Sequence, residues 1–214
     1  MRASALLVAL SLAVSSCSKP PPPKEPEPPP PPPPVKEEPP PPPPPPKCES
    51  LSEKCAGSAD SRATITSTGA SFHPPPGWLY AKEEKVTIAQ STGEDGFVVF
   101  AGADADGPDA VLPVVTHLAE RLGLSDVKTQ SLKTRWKKPQ STLDAGGTPV
   151  RLWEVAKEYQ GVDPKLKDKP GAALVVVATV GGKVIVGLCF VPKSNDAANV
   201  PLMMDAVKSL RSGT

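Results

Sequence analysis

The chain has 214 residues, 31 of them proline, and all nine aromatic residues fall between Phe72 and Phe190. Twenty of the prolines lie between Pro20 and Pro46, so the amino-terminal third offers little to build a core from, and one domain with a modest core is expected. The formal net charge of +1, from 24 basic and 23 acidic residues, disfavours nucleic-acid binding through bulk charge, and the lack of eighteen consecutive apolar residues after Ser16 excludes a spanning helix there.

The amino terminus reads as an address. Arg2 supplies a short positive segment, and Ala3 to Val14 is apolar apart from Ser4 and Ser11. That length suits a signal-peptide core and is too short to cross a bilayer. The run ends in Val14-Ser15-Ser16-Cys17. Small residues directly before a cysteine resemble the lipobox of bacterial lipoproteins. The resemblance implies a signal peptide over 1–16 and acyl chains on Cys17, which becomes the first mature residue and joins the chain to a membrane. Two or more acyl chains hold stably where one is marginal. Ser18 at the second mature position resembles the outer-membrane sorting of Gram-negative bacteria, facing the periplasm or the cell surface.

Residues 17–47 form a lipid-anchored Pro-rich linker on this reading. Proline fixes φ and lacks an amide donor, so neither helix nor sheet forms. Polyproline II at about 3.1 Å per residue gives the Pro20–Pro46 tract a reach of at most roughly 84 Å. A spacer fits an exported chain better than a ligand for proline-reading modules.

Cys48 and Cys55 lie in a junction expected over 48–59. Export permits a disulfide, but residues seven apart on a straight helix are roughly 10.5 Å apart, whereas a bridge needs Cα atoms within about 7 Å. Either the bridge forms and the segment bends, or a helix forms and the bridge does not; the disulfide is the favoured alternative, pinning the spacer to the domain. No histidine or third cysteine is near enough to suggest a metal. Cys189, in Val184–Val191, reads as a buried thiol packing as a small hydrophobe.

The globular domain is expected over 60–214. Strands are expected over Ala63–Thr68, Val86–Gln90, Phe97–Ala101, Val127–Lys137, Thr148–Tyr159, Ala172–Val180 and Lys183–Val191. Gly181-Gly182 suits a tight hairpin turn. The last two strands are apolar at both parities, so both sheet faces need cover. One helix is expected from about Ala110 to Leu122, with Asp109 as cap, Gly123 as stop, and Val111, Val114, Val115, Leu118 and Leu122 inward. Another is expected from about Ala197 to Leu210, capped by Asn195 or Asp196, with Leu202, Met203, Ala206, Val207 and Leu210 inward. This order gives an α+β class: a three-layer α/β/α sandwich around a mainly antiparallel sheet.

Phe72-His73-Pro74-Pro75-Pro76-Gly77-Trp78 resembles the opening element of the PsbP-like/Mog-type fold. The resemblance would span about Thr64–Ser212. It implies a binding or scaffold protein rather than an enzyme, and carries over no functional residue.

Candidate chemistry is sparse. Asp104-Ala105-Asp106-Gly107-Pro108-Asp109 alternates carboxylates around a glycine, but the twelfth position of a calcium loop would be Val115 where a glutamate is needed, so a polar turn before a capped helix is the better reading. His73 and His117 are the only histidines. No nucleophile elbow, HExxH pair or phosphate-cradling glycine loop occurs; Gly146-Gly147 reads as a hairpin turn. Lys133, Arg135 and Lys137 would share one strand face, flanked by Lys128 and Lys138, as a strip for an anionic envelope polymer or lipid headgroup, or as lysine protection of a sheet edge. Trp78, Trp136 and Trp153 read as core anchors.

The function expected is that of a non-catalytic binding or scaffold domain in the cell envelope. The membrane holds it through Cys17, and it meets an envelope protein or polymer, with no catalytic, cofactor or metal residue. The alternatives are an envelope hydrolase with a site assembled from distant residues, or a carrier of a small hydrophobic ligand, which needs a cavity between sheet and helix.

Overall fold

Strands that are apolar at both parities must be covered twice, and the chain supplies two covers. The structure, a computed structural model, describes residues 47–93, 96–124, 129–156, 171–193 and 196–213. The segment expected to be a signal peptide over 1–16, Cys17 and nearly all of the Pro-rich linker expected over 17–47 lie outside the described residues. In chain order the elements are β1 (Ala63–Thr64), β2 (Ser71–Phe72), β3 (Leu79–Lys82), β4 (Thr87–Gln90), β5 (Phe97–Ala103), α1 (Pro108–Arg121), α2 (Thr129–Arg135), β6 (Ser141–Asp144), β7 (Pro149–Ala156), β8 (Gly171–Val180), β9 (Lys183–Pro192) and α3 (Asp196–Lys208).

β3 to β9 make one seven-stranded sheet in the order β3-β4-β5-β9-β8-β7-β6. Every neighbouring pair is antiparallel. β8 and β9 run in register from Gly171↔Pro192 to Val180↔Lys183. Gly181 and Gly182 close that hairpin at φ 57° and 76°, the double positive φ that lets a two-residue turn follow the strand twist.

Period-two alternation sorts the core into two layers. Val99, Val175, Val177, Val186 and Leu188 face one side, where Val111, Val115 and Leu118 of α1 and Leu132 of α2 pack on them. Val98, Phe100, Val176, Ile185 and Cys189 face the other, under Met203, Ala206 and Val207 of α3. The fold is therefore α+β, an α/β/α sandwich around an antiparallel sheet. Phe72 joins the second layer, its ring centroid 4.8 Å from that of Phe100.

Several expectations change. The strand expected over Val127–Lys137 is the helix α2 over Thr129–Arg135, with residues 125–128 outside the described residues. Leu132 and Trp136, read as same-face strand positions, are also four apart, and a helix brings both to the core side; Leu132 is fully buried and Trp136 packs against the same layer. The strand expected over Ala63–Thr68 shortens to β1, which pairs with β2 outside the main sheet. β3 and β6 were not foreseen. The cap of α1 is Gly107, not Asp109, and Pro108 opens the helix, where its missing amide is no loss. Val114 and Leu202 are only half-buried. Tyr159, Asn195 and the side chain of Asp196 lie outside the described residues.

The β3 edge is not left bare. Cys48 and Cys55 form a disulfide with Cα atoms 5.6 Å apart, and the bend that permits it is a single 3₁₀ turn, Glu53–Cys55. Both feet of this loop stand on β3. The Lys82 amide donates to the Cys48 carbonyl at 2.7 Å, and Ala56 bridges Leu79. Just beyond, Gly57 donates to the Trp78 carbonyl and accepts from the Gly77 amide. Pro76 and Gly77, the latter at φ 79°, take the central positions of a type II turn closed by the Trp78 amide on the Pro75 carbonyl at 3.0 Å. A side chain at Gly57 would start 2.5 Å from the Pro75 carbonyl oxygen. The junction over 48–59 is thus a collar packed on the sheet rather than a free connector.

Two predictions follow from this packing. Replacing both collar cysteines (Cys48→Ser with Cys55→Ser) removes a short closed loop worth about 2.5 kcal/mol on the chain-entropy account; the Lys82 amide should then exchange at least about tenfold faster, and unchanged protection there would show that the edge pairs without the bridge. The Cys189 thiol, wholly buried, is pushed up by desolvation from 9.0 to about 12. Below pH 9 it is neutral in both states; above that the unfolded thiol ionises and the folded one does not, so it costs stability as pH rises from about 9 towards 12. The native protein should resist alkylation at Cys189 at pH 8, and Cys189→Ala should fall off less steeply with pH in denaturant titrations.

Candidate functional site: a cleft between the last helix and the sheet

α3 leaves β9 through Lys193 and turns back over the sheet. Its apolar residues Met203, Ala206, Val207 and, just past the helix, Leu210 are buried, so its carboxy-terminal half is seated. The link from Arg211 to Ser71, with both backbone hydrogen bonds at 2.9 Å, and the hydrogen bond from the His73 amide to Ser209 Oγ at 2.7 Å fix that end. The amino-terminal half covers less. Val200 on its first turns is 36% exposed, the one large hydrophobic side chain so open among the described residues.

Under that half lies a cleft of about 250 Å³. Its floor is Gly171, Ala172 and Leu174 of β8 with Val191 of β9, and its roof is Val200 and Met203 of α3. Strand parity explains the floor: Ala172, Leu174 and Val191 belong to the α3 face of the sheet. Among the described residues, Glu154 of β7 and Lys193 also line it. The Glu154 backbone is held in place, its amide accepted by Gln140 Oε1 at 3.0 Å and its carbonyl bound by Arg135 Nη2 at 2.9 Å. A second, more open hollow of about 390 Å³ flanks the same helix beside Pro76, Trp78, Ser91 and Asn199.

The residues singled out from sequence lie elsewhere. α2 ends at Arg135, so Lys133 and Arg135 sit two apart on a helix and no longer share a face, and Lys137 lies in the turn beyond it: Lys133 Nζ pairs with Asp109 Oδ1 of α1 at 2.9 Å, whereas Arg135 reaches the Glu154 carbonyl of β7. The continuous strip does not form. Two of the three carboxylates of the Asp104–Asp109 turn are drawn to cations, Asp106 to Arg151 and Asp109 to Lys133. Among the described residues no group of three or more metal-ligating side chains occurs. His73 Nδ1 donates to the Ser61 carbonyl at 2.8 Å, and His117 is exposed on α1. Trp136 and Trp153 stack at 5.1 Å and 10°, Trp153 Nε1 donates to the Arg135 carbonyl, and the Arg151 guanidinium lies 5.0 and 5.4 Å from the two ring centroids. This is a closed cation–π stack, worth about 0.5–2 kcal/mol to the fold, with no slot between the rings for a ligand. Trp78 is buried.

Sequence reasoning missed the cleft residues Glu154, Leu174, Lys193 and Val200. The one available signal was Val200, an apolar residue off the inward stripe of α3.

The sequence matches no protein-family model and no curated protein. Among solved structures, the Ran-binding protein Mog1p of Saccharomyces cerevisiae is similar at 11% identity and a TM-score of 0.38, over 71% of this chain and 95% of that chain. A point mutant of the protein Mog1 is similar at 12% identity and a TM-score of 0.35, over 72% of this chain and 96% of that one. At such values the likeness establishes neither a shared family nor a shared partner.

Proposed function

We propose that this chain is an envelope lipoprotein that presents a non-catalytic binding domain on a stiff spacer. Acyl chains on Cys17 would hold it to a membrane, the outer membrane of a Gram-negative cell on the reading of Ser18, and the Pro20–Pro46 tract would set its stand-off. The observation that supports binding is the half-open apolar cleft beside α3. It suits recognition of an apolar group: a few oriented charges at an otherwise greasy concavity give orientation and specificity. The chain enters the domain at Cys48 on β3, while β9 and β8, which floor the cleft, lie three to four strand spacings away, roughly 14–19 Å. Tether and cleft therefore do not compete for the same edge. A cavity between sheet and helix also favours a second reading, a carrier of a small hydrophobic ligand, over an envelope protein that grips only a flat patch.

Two experiments test this. The mature protein should take up radiolabelled palmitate and partition into detergent, and Cys17→Ala should lose both; a variant that partitions like the parent ends the anchor. A photo-crosslinking residue at Val200 should yield adducts in intact cells that the same residue at Glu120, exposed on the opposite layer, does not. Equal adducts at both positions would remove the cleft as the recognition surface.

A further inference from the structure

Beside the collar lies another concavity, with a different chemistry. It is a notch of about 180 Å³ between β1 and β3, lined by Cys48, Arg62, Ala63, Thr64, Tyr80 and Lys82. Tyr80 and Lys82 are two apart on β3 and so share a face. Arg62, directly before β1, and Thr64 within it come from the opposite wall. Both walls are fixed. Thr87 Oγ1 of β4 donates to the Thr64 carbonyl at 2.9 Å, the Lys82 amide donates to the Cys48 carbonyl at 2.7 Å, and the disulfide holds Cys48 in place.

The two cations of the notch are uncompensated. Arg62 Nη1 donates to Ser71 Oγ at 2.9 Å, a neutral partner that orients the guanidinium without cancelling its charge. Neither Arg62 nor Lys82 forms an ion pair among the described residues. Arg62 and Tyr80 are half-buried, whereas Thr64 and Lys82 are exposed. A ligand can therefore enter from solvent and still meet Arg62 where screening is reduced. The donor set suits an oxyanion: a guanidinium fork matches two oxygens at once, an ammonium adds a compact charge, and hydroxyls supply neutral donors. Two positive charges match the roughly −1.5 to −2 of a phosphate monoester better than the single charge of a carboxylate or a phosphodiester. We propose that this notch binds a phosphate monoester between Arg62 and Lys82, with the hydroxyls of Thr64 and Tyr80 as flanking donors. The assignment depends neither on the cleft beneath α3 nor on the anchor.

The test uses the mature full-length chain in nonionic micelles, with the amide signals of Thr64 and Lys82 followed by NMR. Glycerol 3-phosphate should shift both saturably, as one site, and leave the Glu120 amide unmoved. Glycerophosphoglycerol, the corresponding diester, should bind at least about tenfold weaker, the worth of one charge-assisted hydrogen bond. Lys82→Glu, at an exposed position, should weaken glycerol 3-phosphate at least about tenfold with the melting temperature unchanged, while Lys82→Arg should stay within about threefold of the parent. The assignment is overturned if neither signal moves, if monoester and diester bind alike, or if Lys82→Glu binds as the parent does. Phosphatidate mixed into the micelles separates the two sources of such an ester. Displacement of glycerol 3-phosphate by phosphatidate, under conditions where phosphatidylglycerol displaces none, assigns the notch to a lipid head. Glycerol 3-phosphate binding that phosphatidate leaves intact assigns it to a soluble ester. Either result supports the monoester site.

Discussion

The central constraint is a hairpin that cannot be left half-covered. β8 and β9 carry apolar side chains on both faces, among them Val175, Val176, Val177, Ile185, Val186 and Leu188, all wholly buried. Each such side chain left in water would forfeit about 1.5–3 kcal/mol, so a single cover is not a stable solution. The rest of the architecture follows. α1 and α2 cross one face between β5 and the far edge at β6, and α3 must return over the other because it is the last element left. A helix of thirteen residues, Asp196–Lys208, spans about 20 Å, and a seven-stranded sheet is about 29 Å across at 4.8 Å per strand. One helix cannot roof that whole face. β1, β2, the Phe72–Trp78 turn and α3 share the work, and the cleft lies where their cover runs short.

The opposite problem arises at the edges. An antiparallel sheet ends in two rows of unpaired backbone groups that invite association. At β3 the collar meets this need, with Cys48 and Ala56 pairing to either end of the strand and the disulfide drawing the intervening turn shut. At β6 the strand is only four residues long and largely exposed, and Lys137, Lys138 and Pro139 precede it; short length, charge and proline are the usual safeguards there. α1 is tied to the β3–β4 hairpin by the bidentate pair of Arg121 with Glu83, and this charge-assisted hydrogen bonding raises the Arg121 pKa.

What could be read from sequence was what periodicity and turn chemistry dictate. The β8–β9 hairpin, its Gly181-Gly182 turn and the inward residues of α1 and α3 follow from apolar spacing and positive φ alone. α2 was not legible because Leu132, Thr134 and Trp136 satisfy a two-residue alternation while Leu132 and Trp136 also satisfy a helical one; tertiary packing chose the helix, where Leu132 meets the α1 layer and Trp136 stacks on Trp153. β3 and β6 are short edge strands whose burial is partial, so their patterns are weak. The cleft was illegible for a different reason. Its lining joins Glu154, Leu174, Val191 and Val200, which are separated in sequence and brought together only by strand order, so no local motif could mark it. The shared strand face expected for Lys133, Arg135 and Lys137 was lost with the strand itself.

Several chemically able side chains among the described residues are committed to holding the domain together: His73 to Ser61, Arg151 to Asp106 and two indoles, Cys189 to the dry interior. What faces the cleft among the described residues is mostly hydrocarbon, and hydrocarbon alone binds weakly. Even ten methylenes fully withdrawn from water would contribute about 8 kcal/mol; a cleft open on one side realises about half, and about 4 kcal/mol corresponds to a millimolar affinity. For a freely diffusing protein such a site would be empty at ordinary ligand concentrations. On the proposed reading the anchor changes that arithmetic. A domain held within about 84 Å of a membrane by a polyproline spacer samples a half-sphere in which one molecule amounts to about 1 mM. A site too weak to work in solution then becomes half-occupied by ligands of its own membrane and releases them readily, which suits a domain that must collect and pass on rather than hold. The greasy cleft and the proline spacer, unrelated as chemistry, would each make sense only in the company of the other.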